Sequence, residues 1–332
     1  MKVAERIVVT GASLAGLRAI EELRAEGHEG EIVAVSAEND MPYDRPPLSK
    51  QFLKGTLEED QLSLRRQGFE DLDVDWRLGC RATALDAENR VIELSDGERL
   101  EYGGLLIATG SAARSLPGTE GLEGIHVLRS LEDARALRAN LVAPSRIVVI
   151  GAGFIGMEVA ASARELGLDV TVVEALPKPL LRGLGETLGE WVGERFQDHG
   201  VSLHCGVGVK GFAGHERVEG IDLADGTRLE ADLVLVGIGA APVCDWLEGS
   251  GLKLENGVVC DATGATGLPD VVAAGDVARW YNPRRAEAVR YEHWTSAVEQ
   301  FFSKQRRSDS TTRLGDSRVI HPGRPEGVGV PP

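Results

Sequence analysis

Two stretches of this 332-residue chain follow the same plan: RIVVTGASLAG at residues 6–16 and RIVVIGAGFIG at residues 146–156. Each is an apolar run that leads into a glycine-rich turn and then into a helical pattern. A buried strand followed by such a turn opens a βαβ dinucleotide-binding unit. The repeat therefore predicts an α/β protein with two such units.

A second repeated pattern follows each of these stretches. The segments 91–100 and 220–229 alternate apolar and polar residues around an Asp-Gly pair, which predicts a β-hairpin with a type I′ turn. The next segments, 105–108 and 233–236, are uniformly apolar, as in parallel strands buried on both faces. Each half thus carries a hairpin insertion and a closing strand.

The second glycine turn is complete, since Gly151, Gly153 and Gly156 form a GxGxxG pattern. The next apolar run, 170–173, ends at Glu174, 18 residues after Gly156. A carboxylate at this position can bind both ribose hydroxyls and would repel a 2′-phosphate, which favours NADH over NADPH. The alternative is a glycine turn with a structural role only.

The first glycine turn has Gly11, Ser13 and Gly16, with a small side chain at the middle position. After the second predicted strand, 32–35, Glu38 is the candidate for the ribose, and its alternative is a solvated loop acid. In both turns, the start of the following helix offers N–H groups to a phosphate.

The stretch PYDRPPLSK at residues 42–50 predicts a stiff loop that presents Arg45 and Lys50. Cations at the edge of such a sheet suit a pyrophosphate or the edge of a flavin on which negative charge develops. Two solvated cations on a rigid loop are the alternative. A third apolar strand, within 268–274, ends in Gly275 and Asp276, and such strand ends lie at the ligand edge of a doubly wound sheet.

Composition excludes several classes of protein. A net charge of −16 argues against non-specific binding to nucleic acid or to an anionic membrane. The four cysteines form no CxxC pair, which weighs against a zinc site and a redox dithiol, so we expect no metal. The cysteine content and the lack of an apolar run of membrane-spanning length predict a cytoplasmic protein.

These stretches together resemble the FAD-dependent ferredoxin and rubredoxin reductases of oxygenase systems (putidaredoxin reductase-like, in the pyridine nucleotide-disulfide oxidoreductase superfamily). The resemblance extends over residues 5–300, and PYDRPPLSK is its most specific element. The other matching motifs are ATG at 108–110, LRSLEDA at 128–134, GAGFIGME at 151–158, GIG at 237–239, AGD at 274–276 and YEHW at 291–294.

The resemblance implies which residues contact each cofactor. For FAD these are Gly11, Ser13, Ala15, Gly16, Glu38, Arg45, Lys50, Ala82, Ala108, Thr109, Gly110, Arg129, Gly275, Asp276 and Trp294. For NADH they are Gly151, Gly153, Ile155, Gly156, Glu158, Glu174, Gly237, Ile238 and Gly239.

More specific roles are implied for four of these residues. Asp276 would hydrogen-bond the ribitol, and Trp294 would close the site beside the flavin ring. Lys50 and Glu158 would be the catalytic pair, with Glu158 near the nicotinamide carboxamide. The alternative for Glu158 is an exposed helix acid.

The resemblance also implies a glutathione reductase-like pair of Rossmann-type domains. The FAD-binding domain would be discontinuous, with residues 1–112 and 243–300, and the NADH-binding domain would span 113–242. Hydride would pass from NADH to FAD, and single electrons would pass to a ferredoxin or rubredoxin that serves an oxygenase. The protein would be a monomer or a weak dimer.

Other activities stay open on the same scaffold. The loop at residues 39–55 has no cysteine, which disfavours thiol chemistry. An NADH oxidase, or a quinone- or radical-type reductase, remains an alternative. So does a remnant that binds nucleotides with impaired turnover.

The family pattern stops at Gln300, where a C-terminal domain would continue. Residues 301–332 instead carry six basic and three acidic side chains and are poor in apolar residues. Such a segment buries too little surface to offset the entropy of ordering, so we expect disorder beyond about residue 305. Without a third domain we expect weaker FAD retention and poor electron transfer to a ferredoxin.

Overall fold

The computed structural model describes residues 6–143, 145–282 and 285–302, and only the backbone of 299–302. The strands, numbered along the chain, are β1 (Arg6–Thr10), β2 (Glu31–Val35), β3 (Val74–Arg77), β4 (Ala82–Asp86), β5 (Val91–Leu94), β6 (Arg99–Glu101), β7 (Gly104–Ile107), β8 (Ser111–Ala113), β9 (Ile125–His126), β10 (Arg146–Ile150), β11 (Asp169–Glu174), β12 (Val201–Cys205), β13 (Val209–Gly214), β14 (Val218–Leu223), β15 (Arg228–Glu230), β16 (Leu233–Val236), β17 (Ala240–Pro242), β18 (Val258–Cys260), β19 (Val271–Ala273), β20 (Ala278–Asn282) and β21 (Glu287–Val289). The helices are α1 (Leu14–Ala25), α2 (Leu131–Asn140), α3 (Phe154–Glu165), α4 (Leu181–Asp198) and α5 (Trp294–Phe302). The disorder predicted beyond residue 305 lies outside the described residues.

The described chain divides into two compact units. The first unit takes its residues from Met1–Asn39, Gly68–Gly110 and Pro242–Pro332. The second unit consists of Asp40–Gln67 and Ser111–Ala241, so the proline-rich loop belongs to the second unit. The assignment of FAD and NADH to domains stays a prediction.

The first unit is built on a parallel sheet with the strand order β19-β7-β1-β2-β3. Helix α1 connects β1 to β2, which forms the predicted βαβ unit. All four residues of β7 are buried, as expected for a strand covered on both faces. An antiparallel sheet of β4, β5 and β6 is inserted between β3 and β7, and the predicted third strand is β19 beside β7.

The second unit repeats this plan with the strand order β12-β11-β10-β16-β9. All four pairings in this sheet are parallel, α3 connects β10 to β11, and α4 connects β11 to β12. An antiparallel sheet of β13, β14 and β15 precedes β16. The predicted α/β class with two Rossmann-like units is therefore confirmed.

The hairpins occur where the sequence predicts them, but the predicted turn type is wrong. A type I′ turn needs positive φ at both central residues, and here Gly97 and Gly226 have φ of +88° and +90° while Asp96 and Asp225 do not have positive φ. Each aspartate instead accepts a hydrogen bond from the backbone N–H two residues ahead, at 3.0 Å from Glu98 and 2.9 Å from Thr227. This side-chain bond stabilises a longer loop that ends in a left-handed glycine.

The segment 40–67 is part of the core of the second unit. Tyr43, Leu48 and Phe52 are buried in one apolar cluster with residues of α2, α3 and the sheet. The Tyr43 hydroxyl also accepts the backbone N–H of Leu131 at 2.8 Å, at the start of α2. Two prolines begin a short 3₁₀ turn, Pro46–Ser49, which suits their fixed φ. Among the described residues, no helix is long and apolar enough to cross a membrane.

Candidate functional site

The first glycine turn lies between β1 and α1, at the carboxyl edge of the first sheet. Gly11 has φ +107°, and a Cβ atom there would lie 2.1 Å from the Ala108 carbonyl oxygen. A Cβ at Gly16 would lie 2.0 Å from the Gly11 carbonyl oxygen. Two of the three positions in the pattern therefore require glycine because of the protein's own packing. Ser13, at the middle position, is the N-cap of α1 with an extended backbone.

The second glycine turn has the same two constraints. Gly151 has φ +100°, with the Gly237 carbonyl oxygen 2.4 Å from a Cβ placed there, and a Cβ at Gly156 would lie 2.0 Å from the Gly151 oxygen. In contrast, a Cβ at Gly153 would have no protein atom within 4 Å. The packing of the protein does not explain the middle glycine, whereas close approach of a phosphate to the N-terminus of α3 does. These residues fit a dinucleotide.

Glu174 lies at the end of β11, beside the second turn. Its Oε2 accepts the backbone N–H of Ala152 at 2.7 Å, and its Oε1 accepts that of Leu176 at 2.8 Å. The predicted ribose acid is thus fixed at the rim of the glycine turn. Glu38 lies three residues after the end of β2 and is half-buried, with its carbonyl accepting the Gly79 N–H at 2.9 Å.

The proline-rich loop meets α3 within the second unit. Lys50 Nζ lies 2.8 Å from Glu158 Oε2, and Ser49 donates its hydroxyl hydrogen to the same oxygen at 2.5 Å. The two side chains that the resemblance implies as a pair are therefore in contact, and their catalytic role stays a prediction. The two charged side chains are 39% and 36% exposed, so the pair is open to a ligand and to solvent.

Arg45 and Arg129 are also brought together in the second unit. The Arg45 guanidinium donates to the Arg129 carbonyl at 2.6 Å and to the Tyr43 hydroxyl at 2.9 Å. Arg129 in turn donates to the Ser111 carbonyl at 3.0 Å. Arg45 is therefore half-buried and held by the loop and the segment before α2, rather than freely solvated as in the alternative considered above.

Three predicted residues of the first unit, Thr109, Gly110 and Gly275, lie near strand ends. Thr109 follows β7 and donates its hydroxyl hydrogen to the Val243 carbonyl at 2.6 Å, and Gly110 has φ +68°. Gly275 has φ +75° and lies against the first turn, since a Cβ there would be 3.0 Å from the Ala15 Cβ.

Three other predicted residues of the first unit lie on separate elements. Ala82 is buried in β4, Asp276 is half-buried, and Trp294, at the start of α5, is 46% exposed. Within the second unit, Gly237, Ile238 and Gly239 follow β16, and Ile155 is 41% exposed in the first turn of α3.

The four cysteines are free and lie on separate elements. Burial raises the pKa of the Cys205 and Cys244 thiols, and it raises the pKa of Cys260 to about 12. These thiols are thus protonated at neutral pH, which disfavours them as nucleophiles.

Sequence reasoning missed two serines that complete the contact between the loop and α3. Ser49 bonds Glu158, and Ser162 donates its hydroxyl hydrogen to the Ser49 carbonyl at 2.7 Å. Only two weak features of the sequence point to these serines. Ser49 lies inside the motif PYDRPPLSK, and Ser162 lies one helical turn after Glu158.

Comparison with known proteins identifies a family and close relatives. The family described as "Pyridine nucleotide-disulphide oxidoreductase" matches residues 5–300. The biphenyl dioxygenase system ferredoxin–NAD(+) reductase component of Paraburkholderia xenovorans is 42% identical over 277 residues, which are 83% of this chain and 68% of that protein. Rhodocoxin reductase of Rhodococcus erythropolis is 38% identical, over 89% of this chain and 70% of its own.

A solved structure agrees with these matches. The crystal structure of the covalent putidaredoxin reductase–putidaredoxin complex superposes with a TM-score of 0.86 at 35% identity, covering 90% of this chain and 73% of that one.

Proposed function

This chain belongs to the pyridine nucleotide-disulphide oxidoreductase family, whose members are oxidoreductases with flavin and nicotinamide cofactors, and from that premise we propose that it is an NADH-dependent, FAD-containing reductase. Its electron acceptor would be a small iron–sulfur carrier, a ferredoxin or rubredoxin, that serves an oxygenase in the cytoplasm. The observation that carries the proposal is the repeated glycine turn, whose middle position in the second copy faces open space.

We assign FAD to the first glycine turn and NADH to the second. A bound flavin can accept a hydride and release its two electrons singly. The groups proposed to hold it are the turn of Gly11, Ser13 and Gly16, the acid Glu38, the strand ends at 108–110 and 275–276, and the residues Ala15, Ala82, Arg45, Lys50, Arg129 and Trp294. Arg45 and Lys50 supply positive charge for a pyrophosphate or for a reduced flavin.

Residues of the second unit select and orient the nicotinamide nucleotide. The N-terminus of α3 offers backbone N–H groups to the pyrophosphate, and Gly153 leaves room for it. The fixed carboxylate of Glu174 can accept hydrogen bonds from ribose hydroxyls and repels a 2′-phosphate. Ile155, Gly237, Ile238 and Gly239 would line the same ligand.

Lys50 and Glu158 are the proposed catalytic pair. Their 2.8 Å contact holds a cation and a carboxylate together on one side of α3. The carboxylate accepts from the nicotinamide carboxamide, and the ammonium group stabilises negative charge that develops on the acceptor ring. Both side chains therefore act on the reacting rings through charge and position.

The names of the relatives support the choice of electron acceptor. Two relatives are named as ferredoxin–NAD(+) reductase components of dioxygenase systems, and another as a rubredoxin–NAD(+) reductase at 38% identity over 88% of this chain. A solved relative is bound to putidaredoxin. These names favour a protein acceptor over a quinone or oxygen.

An anaerobic titration of the purified protein tests the proposal. We expect a flavin absorption spectrum that bleaches on addition of NADH and recovers on addition of an oxidised ferredoxin or rubredoxin. Bleaching followed by recovery with a quinone or oxygen, but with neither carrier, would support the oxidase or quinone reductase alternative. A spectrum without flavin, or one that NADH does not change, would contradict an active reductase.

A further inference from the structure

Ser49 joins the proline-rich loop to helix α3 at two points. Its hydroxyl donates to Glu158 Oε2 at 2.5 Å, and its carbonyl accepts the Ser162 hydroxyl hydrogen at 2.7 Å. Glu158 and Ser162 are four residues apart on α3, so they lie on the same face of the helix. Ser49 and Ser162 are 5% and 3% exposed, so the bond between them is shielded from water and fixes Ser49 against that face.

The two oxygens of Glu158 have different surroundings. Oε2 is bonded by both Ser49 and Lys50, whose Nζ also lies 3.4 Å from the Ser49 hydroxyl. Among the residues that the structure describes, no donor contacts Oε1. The carboxylate thus presents one oxygen to a ligand while the other oxygen is held by the protein.

Lys50 alone does not set the direction in which Oε1 points. Its side chain has four rotatable bonds and is 39% exposed, and its ammonium group can turn any of three N–H donors toward an acceptor. Ser49 has one side-chain torsion and a backbone anchored by Ser162. The two serines therefore set the orientation of the Glu158 carboxylate.

We propose that Ser49 and Ser162 are positioning residues for nicotinamide recognition. Ser49 holds Oε2 so that Oε1 accepts an N–H of the nicotinamide carboxamide, and Ser162 holds the backbone of Ser49. An ionised carboxylate only accepts hydrogen bonds, so it recognises the amide NH₂ of the carboxamide and not its carbonyl. This inference rests on the proposed use of NADH.

Binding of two nucleotides to the flavin-loaded protein tests the inference. We measure the Kd of NAD⁺ and of 3-acetylpyridine adenine dinucleotide, in which a methyl group replaces the amide NH₂, by isothermal titration calorimetry. In Ser49→Ala, NAD⁺ should bind about tenfold more weakly, because an oriented hydrogen bond to a charged group is lost. The analogue cannot make that bond, and its Kd should stay the same. Equal losses for both nucleotides, or no loss for either, would overturn the inference.

Ser162→Ala gives an independent measurement if Ser49→Ala does not fold. It removes the bond to the Ser49 carbonyl and leaves the Ser49 hydroxyl in place, so we expect a smaller loss that is again confined to NAD⁺. Ser250→Ala is the matched control, because its hydroxyl donates to the Leu247 carbonyl at 2.6 Å in the first unit. Both Kd values should stay at the wild-type level there.

The outcomes separate this inference from the proposed function. If the wild-type protein binds NAD⁺ and Ser162→Ala weakens both nucleotides equally, only the positioning role fails. If the wild-type protein does not bind NAD⁺, the proposed function fails and the positioning role fails with it.

Discussion

At the scale of single residues, Glu174 shows how one side chain serves both the fold and selectivity. Both of its oxygens accept backbone N–H groups, from Ala152 and Leu176. The negative charge is therefore fixed at the end of β11 before any ligand arrives. A fixed charge discriminates between ligands better than a mobile one, because it does not swing away from a competing phosphate.

Glu174→Gln should relax the selectivity for NADH. We expect the ratio of the Kd values for NADP⁺ and NAD⁺ to fall about tenfold, because the charge that repels a 2′-phosphate is removed. Fluorescence titration with both nucleotides measures this ratio. Glu165→Gln, which neutralises an exposed acid on α3, is the control and should leave the ratio unchanged. An unchanged ratio in Glu174→Gln would argue against a ribose-binding role.

Lys50→Met should separate catalysis from stability. The Lys50–Glu158 pair is more than one-third exposed, and such pairs stabilise proteins by about 0–1 kcal/mol. We therefore expect the free energy of unfolding to change little. The rate of flavin reduction by NADH should fall at least about tenfold, since a charge that stabilises the transition state is lost. Stopped-flow absorbance and urea unfolding measure the two effects, and a normal rate would contradict a catalytic role for Lys50.

At the scale of elements, the sequence predicts regular structure better than contacts between distant segments. The uniform apolar runs predict the buried parallel strands β7 and β16, because burial on both faces leaves a direct trace in composition. The bonds of Ser49 to Glu158 and Ser162 cross more than 100 residues and leave no periodic trace. The Asp-Gly pairs locate both hairpins, but the side-chain bonds of Asp96 and Asp225 give a turn that the dipeptide alone does not predict.

Two glycines of the second turn, Gly153 and Gly156, should respond differently to alanine. Gly156→Ala places a Cβ 2.0 Å from the Gly151 carbonyl oxygen and should lower the free energy of unfolding by about 1–3 kcal/mol. Gly153 has φ −78° and open space, so Gly153→Ala should unfold like the wild type but bind NADH more weakly. Urea unfolding and nucleotide titration of both variants check this contrast. A destabilised Gly153→Ala would show that packing, not a ligand, requires this glycine.

The proline-rich loop should depend on Tyr43 for its attachment to α2. The Tyr43 hydroxyl accepts the Leu131 N–H and also receives a bond from Arg45. Tyr43→Phe keeps the ring in the core but leaves a buried N–H without an acceptor, at a cost of about 1–3 kcal/mol. We expect faster proteolysis within residues 40–67, measured by mass spectrometry of the fragments. Cleavage at the wild-type rate would contradict this anchoring role.

At the scale of the whole molecule, the chain carries an excess of carboxylates, with a net charge of −16. Asp232 is one whose ionisation is tied to folding. The Arg146 side chain and its backbone N–H both bond Asp232 and lower the pKa of its carboxyl to about 2. A folded-state pKa below the unfolded value of about 3.9 means that this contribution to stability is complete above that value. It is lost as the pH falls towards the folded pKa.

In Asp232→Asn, the free energy of unfolding should therefore depend less on pH in the acid range. We expect the wild-type protein to lose stability between about pH 4 and pH 2 more steeply than the variant. Urea unfolding at a series of pH values, followed by circular dichroism, measures both slopes. Asp222→Asn, which neutralises a half-exposed acid on β14, is the control and should keep the wild-type slope. Identical slopes in Asp232→Asn and the wild type would contradict the linkage.

The path of the chain between its two units affects both their synthesis and their proteolysis. The chain passes from one unit to the other at residues 39–40, 67–68, 110–111 and 241–242. A single nick by a protease cannot release either unit as an intact piece. On the ribosome, the first central sheet stays one strand short until residues 271–273 emerge, after the whole second unit has been synthesised. The early nascent chain therefore exposes the edge of β7, where a chaperone would have its longest opportunity to bind.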